Sequence, residues 1–219
     1  MKKISYIGFD LDGTLIDSHQ AIYECLKHTI PKYSNADIDK IIDIVFPLTL
    51  DQFPDYINFF SDNDFLEFKY FFMESFDKIY YKKVKIITGT KKILEFCVGK
   101  LGRKNVFILT NRRNDSAIQI CEYLKISNII SSENIFSSID DGTINPKASS
   151  LSKVISSKYN NSLEGCYVGD SSVDIESAIS NKLHPVYISG DSLESIISVF
   201  NLKLGYNFFE NIEGLVDII

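Results

Sequence analysis

The sequence has no hydrophobic run approaching the roughly 20 residues that a membrane-spanning helix needs, and it has no excess of positive charge. Its 23 Lys and Arg stand against 29 Asp and Glu, and the resulting net charge of -6 is spread along the chain. A nucleic-acid partner calls for a basic face, so neither nucleic acid nor membrane is expected as a partner. The opening run MKKISYIGFDLDGT enters an acidic segment where a signal peptide would carry a longer apolar stretch and a small-residue cleavage site, so the expected location is the cytoplasm. Cysteine is scarce and scattered: Cys25, Cys97, Cys121 and Cys166 have no C-x-x-C spacing and no nearby histidine pair. A zinc site is thereby disfavoured, and buried free thiols are expected. Repeats, low-complexity tracts and long Pro/Gly linkers are also lacking. Joints between lobes should therefore be short, near Asp17 and between Val84 and Thr88. With 219 residues, 45% of them hydrophobic, the chain can bury one sizeable core and a small second lobe, as a monomer or weak homodimer.

What is present falls into two kinds of pattern. Ile4 to Phe9 is a short apolar run ending at Asp10, the mark of a buried parallel strand that meets a turn at Gly13. From Ser18 to about Tyr81 the period becomes helical: Ala21, Ile22, Cys25, Leu26 and Ile30, then Ile38, Ile41, Ile42 and Val45, then Phe65, Phe68, Phe72, Phe76 and Ile79. Asp17 or Ser18, and Ser61 or Asp62, suit the amino-terminal caps of two of these helices. After Thr88 strands and helices alternate: helix 91–101, strand 105–109, helix 115–125, a strand near Ile135, helix 148–158, strand 166–168, helix 173–180 and strand 185–188. Such a series predicts an α/β fold with a doubly wound, mainly parallel sheet. Residues 1–16 and 86–219 form that core, and 17–85 form a helical insertion.

In this architecture ligands gather at the carboxyl ends of the strands. Those ends here are polar: Asp10-Leu11-Asp12-Gly13-Thr14, Thr110-Asn111, Lys147 at the third crossover, and Gly169-Asp170 with Asp174 four residues on. Several carboxylates brought into one crevice call for a hard divalent cation. Magnesium is expected, held by Asp10, Asp170 and the backbone carbonyl of Asp12, with Asp174 helping directly or through water.

These residues resemble the haloacid dehalogenase superfamily, specifically its phosphoglycolate phosphatase-like and beta-phosphoglucomutase-like members with a small helical cap after the first strand. FDLDGTLIDS at 9–18 is similar to the family's first motif and hinge, ILTN at 108–111 to the second, NPKAS at 145–149 to the third and VGDSSVD at 168–174 to the fourth. TGTKKILEF at 88–96 is similar to the segment that re-enters the core after the cap. The resemblance implies a phosphatase acting on a small phosphorylated metabolite. Asp10 is then the nucleophile, and Asp12 the general acid and base. Magnesium and Lys147 neutralise the phosphoryl charge, while the Thr110 hydroxyl and the backbone amides near Leu11 and Asn111 bind its oxygens. Gly13 and Thr14 shape the phosphate-binding turn. Phe46-Pro47 stands where relatives often have a glycine-containing specificity loop.

Bland readings compete at several positions. Asp170 and Asp174 suit a helix amino terminus, and Lys147 sits two places later than the lysine of many relatives. Arg112 and Arg113, directly after Thr110-Asn111, are placed to steer an anion, with a solvated loop as the default reading. Fifteen of the 28 Phe and Tyr residues lie between Asp17 and Lys85, where packing of a small helical lobe accounts for them. His19, His28 and His184 are taken as solvated or core residues. Rival functions are a sugar phosphomutase, a phosphonate-cleaving enzyme using Lys27, Lys32 or Lys40, and, from another class, a receiver-like or non-catalytic phosphate-binding protein. A dehalogenase is disfavoured, because halide needs no acid such as Asp12.

Overall fold

A computed structural model of the chain describes residues 4–33, 37–45, 53–56, 62–138, 145–160, 164–188 and 207–209. The chain divides into two compact units, 1–17 with 85–219, and 18–84. In chain order the elements are β1 (Tyr6–Phe9), β2 (Ile16–Asp17), α1 (His19–Thr29), α2 (Ile38–Val45), α3 (Phe53–Tyr56), α4 (Asp62–Lys78), β3 (Lys85–Ile86), α5 (Thr90–Leu101) and β4 (Val106–Thr110). They continue with α6 (Asn114–Tyr123), β5 (Ile135–Ser137), α7 (Pro146–Tyr159), β6 (Gly165–Gly169), α8 (Ser172–Ser180), β7 (His184–Ile188) and β8 (Asn207–Phe209).

The first unit carries a six-stranded sheet in the order β5-β4-β1-β6-β7-β8, parallel throughout. The chain winds from β1 outward through β4 and β5, then returns to the other side of β1 as β6. That reversal is the topological switch point of a doubly wound sheet, and it lies between β4 and β6. The register lines up the ends, with Phe9 opposite both Ile108 and Val168. The Asp10 amide donates to the Val168 carbonyl at 2.8 Å, so pairing continues one residue into the functional segment. Strands β1, β4 and β6 are buried along their whole length. One part of the core joins Tyr6, Phe107, Leu109 and Tyr167 to Leu151, Val154 and Ile155 of α7. Burying both sheet faces is what keeps the strand ends in place.

The second unit is helical. Phe68, Phe72 and Phe76 repeat every four residues along α4, so their rings follow one another in a row, tilted, with centroids 6.1 and 6.3 Å apart. Phe53 and Tyr33 pack on Phe68. The aromatic side chains thus supply apolar area that so short a segment lacks otherwise. Ser18 stands at the N-cap of α1 but makes no capping bond there. Phe46-Pro47 and Ser61 lie outside the described residues.

All four cysteines are free and buried. Among the described residues no helix is long and apolar enough to cross a membrane.

One boundary differs from expectation in a way that bears on function. Helix α7 starts at Pro146, not Ala148, because Asn145 caps it, its Oδ1 accepting from the Ala148 amide at 2.9 Å, and proline suits the first helical turn. Lys147 therefore lies inside the first turn, not ahead of it. Strand β8 has no counterpart in the sequence reading, since three residues are too few to display a period.

Candidate active site

The loop after β1 turns sharply. Gly13 has φ +77°, a conformation that L side chains rarely adopt, and a Cβ there would sit 1.9 Å from Asp170 Oδ2. Glycine thus lets the β1 loop and the β6 loop touch. Thr14, fully buried, donates its hydroxyl to Asp170 Oδ1 at 3.0 Å. Gly169 plays the same part on the other side, because a Cβ there would lie 2.3 Å from Asp174.

Asp174 is fixed from two directions. Its Oδ2 accepts from the Ser171 amide at 3.1 Å and the Ser171 hydroxyl at 2.6 Å, completing the capping box of α8. Its Oδ1 accepts from Lys147 Nζ at 2.6 Å. The same ammonium donates to Asp10 Oδ1 at 2.7 Å. Lys147 is 3% exposed, and the hydroxyl of Tyr167, which donates to the Leu109 carbonyl at 2.8 Å, is a further neighbour. Sequence positions 10, 147, 170 and 174 thus converge on one spot.

Asp10, Asp170 and Asp174 offer carboxylate oxygens that all lie within 4.8 Å of one another. Three carboxylates face one ammonium, an excess of two negative charges. The cost shows in their acidities. Burial, then the charges of Asp174 and Asp170, holds Asp10 well above the usual carboxylate range despite Lys147. Burial and Asp174 push Asp170 up to about 7, against the Thr14 hydrogen bond. Burial works against the charged form of Lys147 too, but Asp10 and Asp174 outweigh it and hold its ammonium well above the ordinary range. All the donors are hard oxygens, and the charge they lack is that of a divalent cation, so the residues fit magnesium.

Thr110 ends the neighbouring strand β4, and Asn111 follows it. The buried Thr110 hydroxyl accepts from the Arg112 amide at 3.2 Å, while Asn111 is exposed. Arg112 requires a correction to the sequence reading. It is not a solvated loop residue: its side chain is 16% exposed and holds Asp12 with a bidentate fork, Nε to Oδ2 at 2.6 Å and Nη2 to Oδ1 at 2.7 Å. Its position directly after Thr110-Asn111 was the one sequence signal for it. Arg113 is the more exposed of the two, 3.5 Å from Asp115. In the helical unit, Lys27 pairs with Asp39 at 2.9 Å, and the hydrogen bonds its ammonium makes with Tyr23 and Asp39 raise its pKa. A Schiff base needs the neutral amine, so this environment disfavours Lys27 for the phosphonate-cleaving role.

Comparison with known proteins places this geometry. A family model described as haloacid dehalogenase-like hydrolase matches residues 7–187. No curated protein matches. Among solved structures, a haloacid dehalogenase-like hydrolase from Streptococcus pneumoniae superposes with a TM-score of 0.78 at 18% identity, covering 100% of both chains. A predicted phosphatase from Clostridium acetobutylicum gives 0.75 at 20% identity, covering 99% of this chain and 98% of its own. A predicted phosphoglycolate phosphatase from Haemophilus somnus gives 0.73 at 18%, covering 100% and 99%. At such identities these likenesses establish the fold, and with the family match they lead to one conclusion: the chain belongs to the haloacid dehalogenase-like hydrolase family.

Proposed function

We propose that this protein is a magnesium-dependent phosphatase that hydrolyses a small phosphate monoester through phosphorylated Asp10. The observation that carries the reading is the Lys147 ammonium wedged between Asp10 and Asp174, with Asp170 alongside. Phosphatase descriptions among the structural neighbours support it.

The chain's own residues divide the work. A carboxylate oxygen of Asp10 attacks phosphorus in line, the bond to the ester oxygen breaks, and Asp12 gives the departing alkoxide its proton. Water then attacks the acyl phosphate, Asp12 takes up a proton, and the Asp10 carboxylate returns. Lys147, fixed by two carboxylates, offers positive charge to the transferring phosphoryl group without reorganising. Thr110 and the amides near Leu11 and Asn111 receive its oxygens, while the Gly13 amide is spent within the turn, donating to the Ile16 carbonyl at 2.8 Å. Asp10, Asp170 and the Asp12 carbonyl, with Asp174 helping directly or through water, would hold magnesium, which when bound would supply Lewis-acid neutralisation of phosphoryl charge. The helical unit, 18–84, is assigned the part of a cap that selects substrates.

The test is phosphate release from para-nitrophenyl phosphate by the purified protein. Release that needs magnesium and falls to background with a chelator is expected. Equal rates with and without the metal would contradict the reading. Transfer to a sugar hydroxyl in place of release to water would mark a mutase.

A further inference from the structure

We propose that Tyr167 is a positioning residue for this reaction: its hydroxyl, carried across the central strand, holds the Lys147 ammonium in place while the bond from Lys147 to Asp10 is exchanged for one to the phosphoryl group. The inference rests on the phosphatase reading above and adds a residue to it.

Its starting point is a row of three residues across the sheet. Phe107 of β4, Gly8 of β1 and Tyr167 of β6 stand side by side in register. The middle one has no side chain, and a Cβ there would lie 2.3 Å from Phe107 Cζ and 2.8 Å from Tyr167 Cδ2. Two rings therefore close over the bare backbone of β1. That is how a side chain rooted on β6 reaches β4, where its hydroxyl donates to the Leu109 carbonyl at 2.8 Å. The other partner of this fully buried hydroxyl is Lys147, its hydrogen-bonding neighbour among the side chains. Burial holds the phenol well above its ordinary pKa, so it stays protonated: its one proton goes to Leu109 and its lone pairs are left for the ammonium.

Counting donors gives the oxygen its role. An ammonium has three N–H groups. Two go to Asp10 Oδ1 and Asp174 Oδ1, at 2.7 and 2.6 Å, and the Tyr167 oxygen faces the third. When Asp10 attacks phosphorus it spends its negative charge on the new bond, and the charged phosphoryl oxygens become the better acceptors for Lys147. The Asp10 contact is the one exchanged. Asp174 and Tyr167 then remain as fixed points. With Asp174 alone the ammonium pivots about a single bond, with the carboxylate of Asp170 close by to draw it off the phosphoryl group. A neutral oxygen supplies the second point without adding negative charge to a site that already holds an excess. Because the exchange belongs to the transition state, loss of that point falls on kcat and not on KM.

Tyr167→Phe keeps the ring and removes the oxygen. With para-nitrophenyl phosphate and magnesium, kcat should fall about tenfold or more while KM changes by less than about threefold. The deciding comparison is the same substitution in the Lys147→Met enzyme, whose residual kcat it should change by less than about twofold, because no ammonium is left to hold. Gly8→Ala, which keeps the hydroxyl but crowds its ring off β1, should show the same dependence on Lys147 and takes the place of Tyr167→Phe if that variant does not fold. Equal losses with and without Lys147 would overturn the inference and leave Tyr167 as a support of β4 through Leu109. An unchanged kcat in folded Tyr167→Phe would overturn it as well, and so would failure of both variants to fold, which would make the row a support of the core alone. Absence of Asp10-dependent turnover in the wild type would instead bring down the phosphatase reading, and this inference with it.

Discussion

Asp10→Asn should lower turnover by at least about 10,000-fold, because the carboxamide keeps the shape of the side chain and loses the attacking oxygen. The same substitution should leave the protein folded and, without metal, raise its melting temperature near pH 8. The reason is electrostatic. Asp170, raised to about 7 by burial and by Asp174, binds its proton more tightly when folded than its ordinary value of 3.8 would give. That contribution to stability is full below about pH 4 and is lost as pH rises through about 7. Through Asp170, metal-free wild-type protein should therefore be less stable near pH 8 than near pH 5, as negative charge in excess of Lys147 builds up in the site. Asparagine at position 10 cuts the excess to one. Thermal melting with and without magnesium, alongside turnover, checks both halves. A mutant that is inactive because it is unfolded would contradict the assignment, as would retained turnover.

Lys147→Met should act in the opposite sense on the metal. Its ammonium donates to Asp10 and Asp174 at 2.7 and 2.6 Å, and its removal leaves three carboxylates in close company. Turnover should fall by roughly 100- to 1,000-fold, the usual cost of losing one preorganised charge in the transition state. Magnesium, relieved of a competing cation, should half-saturate the variant at a lower concentration than the wild type. Titration of activity and of melting temperature with magnesium reads this directly. Weaker metal binding in the variant would show that Lys147 organises the ligands and does not compete with the ion.

Much of this arrangement is legible before any coordinates. Asp10 and Asp170 end apolar runs that can only be buried strands, and a parallel sheet brings such ends together, so their meeting follows from period and topology. The positions of Gly13 and Gly169 are legible in part: a turn glycine is expected, but not that each leaves room for a carboxylate from another segment. Lys147 is legible at the third crossover and its role is implied by resemblance, but its lodging in the first turn of α7 depends on a capping bond from Asn145 that periodicity does not reveal. Asp174 is read from sequence as either cap or ligand, and its two oxygens serve Ser171 and Lys147 at once. Arg112 is legible as a cation beside the strand end, but its pairing with Asp12 is not. Its partner lies 100 positions away, and no local pattern reports a pairing made by the fold alone.

The most direct measurement of the central claim is the stereochemical course at phosphorus, using a phosphomonoester made chiral with oxygen isotopes and hydrolysed in isotopically labelled water. Two successive in-line displacements, first by Asp10 and then by water, predict retention of configuration in the released phosphate. Inversion would mean that water attacks the substrate directly, and would contradict a phosphorylated Asp10.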